Sequence, residues 1–241
     1  MTLTPEEYRA AIRDESEALV NAAERAGLDA PVPSCPDWDV EHLLRHVGRV
    51  QRWAAASANA GEFVPPDTLP RPPGPEQLGS WVREGTAALV TALDRPPGDA
   101  TWTFTRDGTV GFWQRRQAHE AAMHRVDAEL AAGDPRAIAG ALAGDGIDEW
   151  LGLVAHRPNQ TPPTGSGETL HFHCTDRDGE WLVRLTDAAP EIERTHAKGD
   201  VALRGPASDL LLVLHHRLDP DRVEIFGDRA VLDHFLTHTA F

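Results

Sequence analysis

The sequence is poor in cysteine. The chain has 241 residues and two cysteines, Cys35 and Cys174, which lie far apart and form no Cys-x-x-Cys pair. This excludes a disulfide scaffold and a thiolate-bound zinc site. Any metal site must therefore use histidine and carboxylate side chains, and the chain has twelve histidines.

The sequence also lacks long apolar runs and basic clusters. No run of about eighteen uncharged apolar residues occurs, so we expect no membrane-spanning helix. Lys198 is the only lysine, the arginines alternate with acids, and the formal net charge is −15. We expect no nucleic-acid partner, because phosphate binding needs a clustered basic face. The acidic, polar first twenty residues do not resemble a signal peptide, which predicts a cytoplasmic protein.

The composition is otherwise that of a globular protein. Hydrophobic residues make up 41% of the chain, with seven tryptophans and seven phenylalanines. This content argues against wholesale disorder, and the length suits one large domain or two modest ones.

Apolar periodicity predicts a helical first domain, residues 1–157. Asp39 is the expected N-cap of the second helix. The five predicted helices cover Pro5–Arg25, the segment from Asp39 to Gly61, Glu76–Leu93, Phe112–Ala132 and Arg136–Ala155.

A Pro/Gly-rich linker, HRPNQTPPTGSG, separates the helices from segments of alternating polarity. ETLHFHCTD and EWLVRLTD read as strands joined by a hairpin turn, and the strand candidates EIERTHA, DVALRG and DRVEIFG follow. PASDLLLVLHHR and DRAVLDHFLTH read as helices. The fold class predicted is a helical bundle followed by a small α+β domain, residues 165–241.

The fourth predicted helix carries two candidate metal ligands. Glu120 and His124 are four residues apart, hence about 40° apart on one helix face. His119 lies about 140° from His124, and HEAAMH has one residue too many between its histidines for a zincin motif. Asp127 follows His124 by three residues and is placed to accept its second ring N–H; the alternative is an ordinary acid on the helix surface.

A third ligand must come from another helix, and His46 is the candidate. It lies mid-helix among Leu43, Leu44, Val47 and Val50, which predicts that it points inward. With only two histidines and one carboxylate as ligands, the metal ion keeps coordination positions open for water or substrate, as in catalytic sites. Spacing alone leaves a surface ion pair and an ordinary core histidine open as alternatives. His171 and His173 share a strand face, but the sequence shows no third ligand, so no site is predicted there.

Paired blocks resemble the mycothiol-dependent maleylpyruvate isomerase family. The segment VPSCPDWDVEHLLRHVGRV is similar to one family block, and FWQRRQAHEAAMHRVDAE is similar to a second. LHFHCTDRDGEWLVRLT and DVALRGPASDLLLVLHHR resemble the family's small C-terminal domain, which is similar to sterol carrier proteins. The resemblance extends over nearly the whole chain.

The resemblance implies a DinB-like bundle in which His46, Glu120 and His124 bind zinc. Zinc would activate the thiol of mycothiol, a low-molecular-weight thiol of actinobacteria, as a nucleophile toward a small electrophile. The implied activity is cis–trans isomerisation or thiol S-transfer by a monomer or homodimer. The alternative is a non-catalytic protein that binds a lipid or another small molecule, with a structural metal or none.

Four arginines are further candidate site residues. Arg116, like its neighbour Arg125, flanks the ligands and could clamp a substrate carboxylate. Arg204 and Arg217 are candidates to contact the anionic or sugar part of the thiol cofactor. The alternative is that these arginines pair with the many acidic residues.

Overall fold

A computed structural model describes residues 3–105, 107–156 and 162–239. Within them the chain divides into two compact units, Leu3–Arg136 and a second that begins at Ala137. None of the helices in this part of the chain is long and apolar enough to span a bilayer.

The N-terminal unit contains four long helices. These are α1 (Pro5–Ala26), α2 (Val40–Ala60), α3 (Leu78–Ala92) and α4 (Val110–Ala132). Their ends follow the local sequence: the Asp39 side chain accepts a hydrogen bond from the His42 amide at the start of α2, and Gly61 ends that helix with φ +70°. All four helices lie within a few residues of the predicted positions.

The helix α4 is buried on nearly all sides. Its first half buries Trp113 and Ala118, and its second half buries Val126 and Ala128. The same helix also buries polar and charged side chains, including His124, Arg125, Asp127 and Glu129. Since buried charges need partners, the packing of α4 depends on the polar contacts that these side chains make.

The contact between α2 and α3 depends on a glycine. The Trp81 indole of α3 lies against Gly48, where an added Cβ would overlap the ring. The Arg52 guanidinium lies 4.1 Å from the centre of the indole and donates a hydrogen bond to the Trp81 carbonyl. The missing side chain at position 48 therefore sets how closely the two helices approach.

The second unit is an α+β structure. Its elements are α5 (Gly140–His156), β1 (Thr169–Cys174), β2 (Glu180–Arg184), β3 (Glu191–Glu193), β4 (Val201–Gly205), α6 (Ala207–Leu214), β5 (Glu224–Gly227) and α7 (Arg229–Thr239). The strands form one sheet in the order β3-β2-β1-β4-β5. Only β1 and β4 run parallel; the other neighbours are antiparallel. The predicted fold class, a helical bundle followed by an α+β domain, is confirmed.

The sheet has an apolar face and a polar face. Leu170, Phe172 and Trp181 point to the apolar face and are fully buried, and Phe172 contacts Phe235 of α7. His171 and His173 alternate with them and therefore lie on the opposite face.

The predicted domain boundary at residue 157 is one helix too late. The units separate between Arg136 and Ala137, so α5 belongs with the sheet. Asp148 of α5 accepts a hydrogen bond from the Trp181 indole, and the Trp150 ring contacts His215. The sequence pattern predicts α5 to lie in the first domain, because it is a helix like α1 to α4. These long-range contacts instead place it in the second unit. Residues 157–161 of the predicted linker lie outside the described residues.

We expect Gly48→Ala to destabilise the N-terminal unit by about 1–3 kcal/mol, because the methyl group would push Trp81 out of place. The measurement is the urea midpoint followed by tryptophan fluorescence. Gly98→Ala is the matched control, because its Cβ would meet no atom within 4 Å. A midpoint for Gly48→Ala equal to that of the control would contradict the prediction.

Candidate metal centre

Three ligand atoms lie together where α2 meets α4. Glu120 Oε1 is 3.1 Å from His124 Nε2 and 3.5 Å from His46 Nε2. The two imidazole centres are 5.0 Å apart, and the three ligand atoms all lie within 4.8 Å of one another. The structure thus brings together the three residues that the sequence proposes as metal ligands.

A buried carboxylate orients one of these ligands. Asp127 is fully buried, and its Oδ2 lies 2.8 Å from Nδ1 of His124. The Ser34 hydroxyl donates to the other oxygen of Asp127 at 2.5 Å. If Nδ1 donates its proton to Asp127, Nε2 presents a lone pair toward Glu120 and His46, the arrangement usual for metal-bound histidine.

Arg116 contacts a proposed ligand. Its Nη2 is 3.0 Å from Glu120 Oε2, one turn along α4. Arg125, the other arginine considered for substrate binding, forms ion pairs with Glu15 and Glu129. The structure therefore gives Arg116 a role in holding Glu120, and a substrate clamp at Arg116 stays a prediction.

The electrostatics of the cluster favour a cation. Burial raises the pKa of Glu120, but hydrogen bonds with His124 and His46 and the charge of Arg116 lower it well below its usual range. Burial lowers the pKa of His124, but hydrogen bonds with Asp127 and Glu120 raise it to about 9. The carboxylates thus attract positive charge to the site. Imidazole and carboxylate donors suit a zinc-like divalent ion, and the residues fit such an ion.

Trp38 covers one side of the cluster. Its ring centre lies 4.8 Å from those of His42 and His46 and 6.2 Å from that of His124. Of these imidazoles only that of His124 is buried, so the indole lies over a cluster that stays partly open at His46 and His42.

A pocket of about 490 Å³ opens beside His46. Arg45 at its wall forms an ion pair with Glu41, whereas Arg49 has no ion pair in the described part of the chain. Sequence reasoning missed both arginines; the available signal was their position on the helix face of His42 and His46. The lining residues are His42, Arg45, His46, Arg49, Val50, Trp53, Pro66 and Pro72.

The other sequence candidates lie elsewhere. Arg204 of β4 is half exposed and forms a 3.1 Å ion pair with Glu224, and Arg217 donates to the His215 carbonyl at 2.8 Å. Both belong to the second unit. Burial raises the pKa of Cys174 to about 12, which argues against a reactive thiol. His119, the extra histidine of HEAAMH, is buried with its ring beside Tyr8 and does not join the cluster.

Fold and site together define a two-unit protein with a candidate metal centre in its helical bundle. The protein-family model for the mycothiol maleylpyruvate isomerase N-terminal domain matches residues 9–129 of the sequence. The family model for the C-terminal domain of the same isomerase (MDMPI) matches residues 141–234. The chain belongs to the mycothiol-dependent maleylpyruvate isomerase family, as its sequence motifs indicate.

Two solved structures share the fold. A crystal structure of the mycothiol-dependent maleylpyruvate isomerase aligns with a TM-score of 0.61 at 17% identity, over 93% of this chain and 95% of the other. A histidine-to-alanine mutant of that isomerase aligns with a TM-score of 0.62 at 16% identity over the same shares. At this identity the likeness establishes the fold alone. A comparison with curated protein sequences gives no match.

We expect His46→Ala, Glu120→Ala and His124→Ala each to lose the zinc held at this centre, about one equivalent per chain, with nearly unchanged helicity, because each removes one ligand from a three-ligand site. Elemental mass spectrometry of untagged protein and far-UV circular dichroism check this. His42→Ala is the matched control: it removes a histidine one turn away that is outside the cluster. Equal zinc content in all four variants would refute the assignment.

Proposed function

We propose that this protein is a zinc-dependent enzyme that uses mycothiol, acting as a cis–trans isomerase of the maleylpyruvate type or as a thiol S-transferase. The observation that carries the proposal is the three-ligand cluster of His46, Glu120 and His124 beside a pocket. A non-catalytic lipid-binding protein would not need this complete set. Membership of the family supports the use of mycothiol.

The residues of the cluster have separate roles in this proposal. His46, Glu120 and His124 hold the ion, Asp127 fixes the tautomer of His124, and Arg116 holds Glu120. A bound zinc ion supplies thiol activation, because it lowers the pKa of a coordinated thiol so that the thiolate dominates near neutral pH. Three protein ligands leave room for that thiol.

The pocket suggests a small anionic electrophile as the substrate. Arg49 is an exposed cation on its lining without an ion pair among the described residues. A guanidinium binds a carboxylate through paired hydrogen bonds, and Trp53 offers an apolar wall for the rest of the molecule. An activated double bond conjugated to a carboxylate fits both outcomes, since the thiolate adds to such a bond in either reaction.

Arg204 and Arg217 stay proposals for binding the anionic or sugar part of mycothiol, supported by the resemblance of their blocks to the family. A cytoplasmic location and an actinobacterial source, in which mycothiol occurs, are part of the same proposal.

The activity test is an assay of zinc-loaded protein with mycothiol and maleylpyruvate, followed by a panel of electrophiles for S-transfer. We expect thiol-dependent turnover that falls to background in Glu120→Ala. In Asp127→Asn it should fall by about 10–100-fold, because the metal ligand loses its orienting carboxylate. The parent protein with zinc but without thiol is the control. Turnover that is independent of the thiol, or unchanged in Glu120→Ala, would overturn the proposal.

The role of Arg49 gives a second prediction. We expect Arg49→Gln to raise KM for an anionic electrophile by about tenfold or more with little change in kcat, because it removes one charge-assisted contact made equally in ground and transition states. Arg25→Gln, at the end of α1, is the control. An unchanged KM for Arg49→Gln would contradict a carboxylate-binding role.

A further inference from the structure

Three histidines and one glutamate come together on the polar face of the sheet in the second unit. Glu180 Oε2 lies 2.9 Å from His171 Nε2, 3.3 Å from His173 Nδ1 and 2.5 Å from His196 Nδ1. One ligand atom from each of the four residues lies within 4.8 Å of the others. This cluster belongs to the second unit alone and shares no residue with the candidate centre of the helical bundle.

The strands place three of these four side chains. His171 and His173 are two residues apart in β1 and point to the same face, and Glu180 of β2 is the antiparallel partner of His173. The sequence shows only the histidine pair as a pattern. The third and fourth ligands depend on strand register and loop closure, which is why sequence reasoning predicted no site here.

The loop that carries His196 is attached to the first residue of β1. The Asp200 carboxylate accepts hydrogen bonds from the amide and the hydroxyl of Thr169, and the Asp200 amide donates to the same hydroxyl. Gly199 lies so close to β1 that an added Cβ would come within 3.1 Å of its backbone at Thr169 and His171. These contacts hold the loop against the strand and keep His196 near the other three side chains.

Hydrogen bonding alone accounts poorly for this arrangement. A carboxylate oxygen offers about two lone-pair sites, whereas three imidazole nitrogens lie within 3.3 Å of one oxygen of Glu180. A cation removes the conflict, because each neutral imidazole then donates a lone pair to the ion instead of competing for the same oxygen.

The donor set selects the kind of ion. Imidazole nitrogens suit zinc, copper, nickel and cobalt, whereas magnesium and calcium prefer sites made of oxygen. Tetrahedral zinc with bonds near 2.0 Å keeps its ligand atoms about 3.3 Å apart. The separations of His171 and His173 from Glu180, 2.9 and 3.3 Å, are close to this value, whereas His196, at 2.5 Å, would move outward on binding. Four protein ligands fill a tetrahedral shell, which is typical of structural sites.

We propose that His171, His173, Glu180 and His196 form a second, structural site for a zinc-like divalent transition-metal ion, which fixes the loop between β3 and β4 to the sheet. Bound metal stabilises the fold around it, because an ion that binds only the folded state shifts the unfolding equilibrium. This site is independent of the proposed enzymatic function.

The test isolates this cluster by removing the first one. Full-length His46→Ala/Glu120→Ala protein, stripped of metal, is titrated with Zn²⁺ by calorimetry and with Co²⁺ by visible absorption. We expect about one equivalent of each ion to bind, with the intense absorption of tetrahedral cobalt. Adding His196→Ala or Glu180→Gln to this double variant should weaken metal binding by more than tenfold. Loss of a residue that only orients a ligand already lowers metal affinity by about 10–100-fold.

Two features keep the test decisive. The side chain of His196 is 79% exposed, so its removal leaves the packing of the sheet intact. His238→Ala is the matched control, because it removes a histidine of this unit that packs against His234 and lies outside the cluster. Binding that survives both His196→Ala and Glu180→Gln, binding that disappears with His238→Ala, or no binding in the double variant would each overturn the proposal.

Discussion

The N-terminal unit depends on how α4 buries charge. The carboxylate of Glu129 is enclosed by the guanidinium groups of Arg125 and Arg136, so this end of the helix carries its own neutralising charges. Glu120 and Asp127 instead share His124 between them, with Arg116 on the far oxygen of Glu120. Exchanging the proton of His124 for a divalent ion raises the charge of this cluster by one. A divalent ion bound there, as proposed, would thus favour an anionic thiolate as a further ligand.

The loop before α2 supplies the rest of the centre. The Trp38 carbonyl accepts a bond from the Val32 amide, and the Trp38 amide donates to the Cys35 carbonyl, which makes a compact turn. This turn brings Ser34 to Asp127 and the Trp38 ring to the histidines. The block that contains Cys35 and Trp38 therefore serves to position the site, and the thiol of Cys35 has no part in the proposed chemistry.

Local patterns predicted the helices and the grouping of His46, Glu120 and His124, because these depend mainly on spacing within α2 and within α4. The four-residue spacing predicted that Glu120 and His124 share one helix face. The apolar residues around His46 predicted that its side chain points inward. The unit to which α5 belongs could not be predicted, since it is decided by Asp148 and Trp150 contacting residues far along the chain. The completion of the histidine pair in β1 was missed for the same reason: Glu180 arrives through strand register and His196 through a loop.

The two histidine clusters differ in the number of ligands that their scaffolds supply. Two facing helices present three donors, and His46, one of them, also lines the pocket, so that substrate could approach an ion bound there from that side. Two strands and a loop present four donors around one point, which leaves a tetrahedral ion without a free position. Reaction chemistry needs an exchangeable position, so only the helical cluster is suited to catalysis. The sheet cluster is suited to holding a loop, and a metal bound there, as proposed, should affect stability while leaving turnover unchanged.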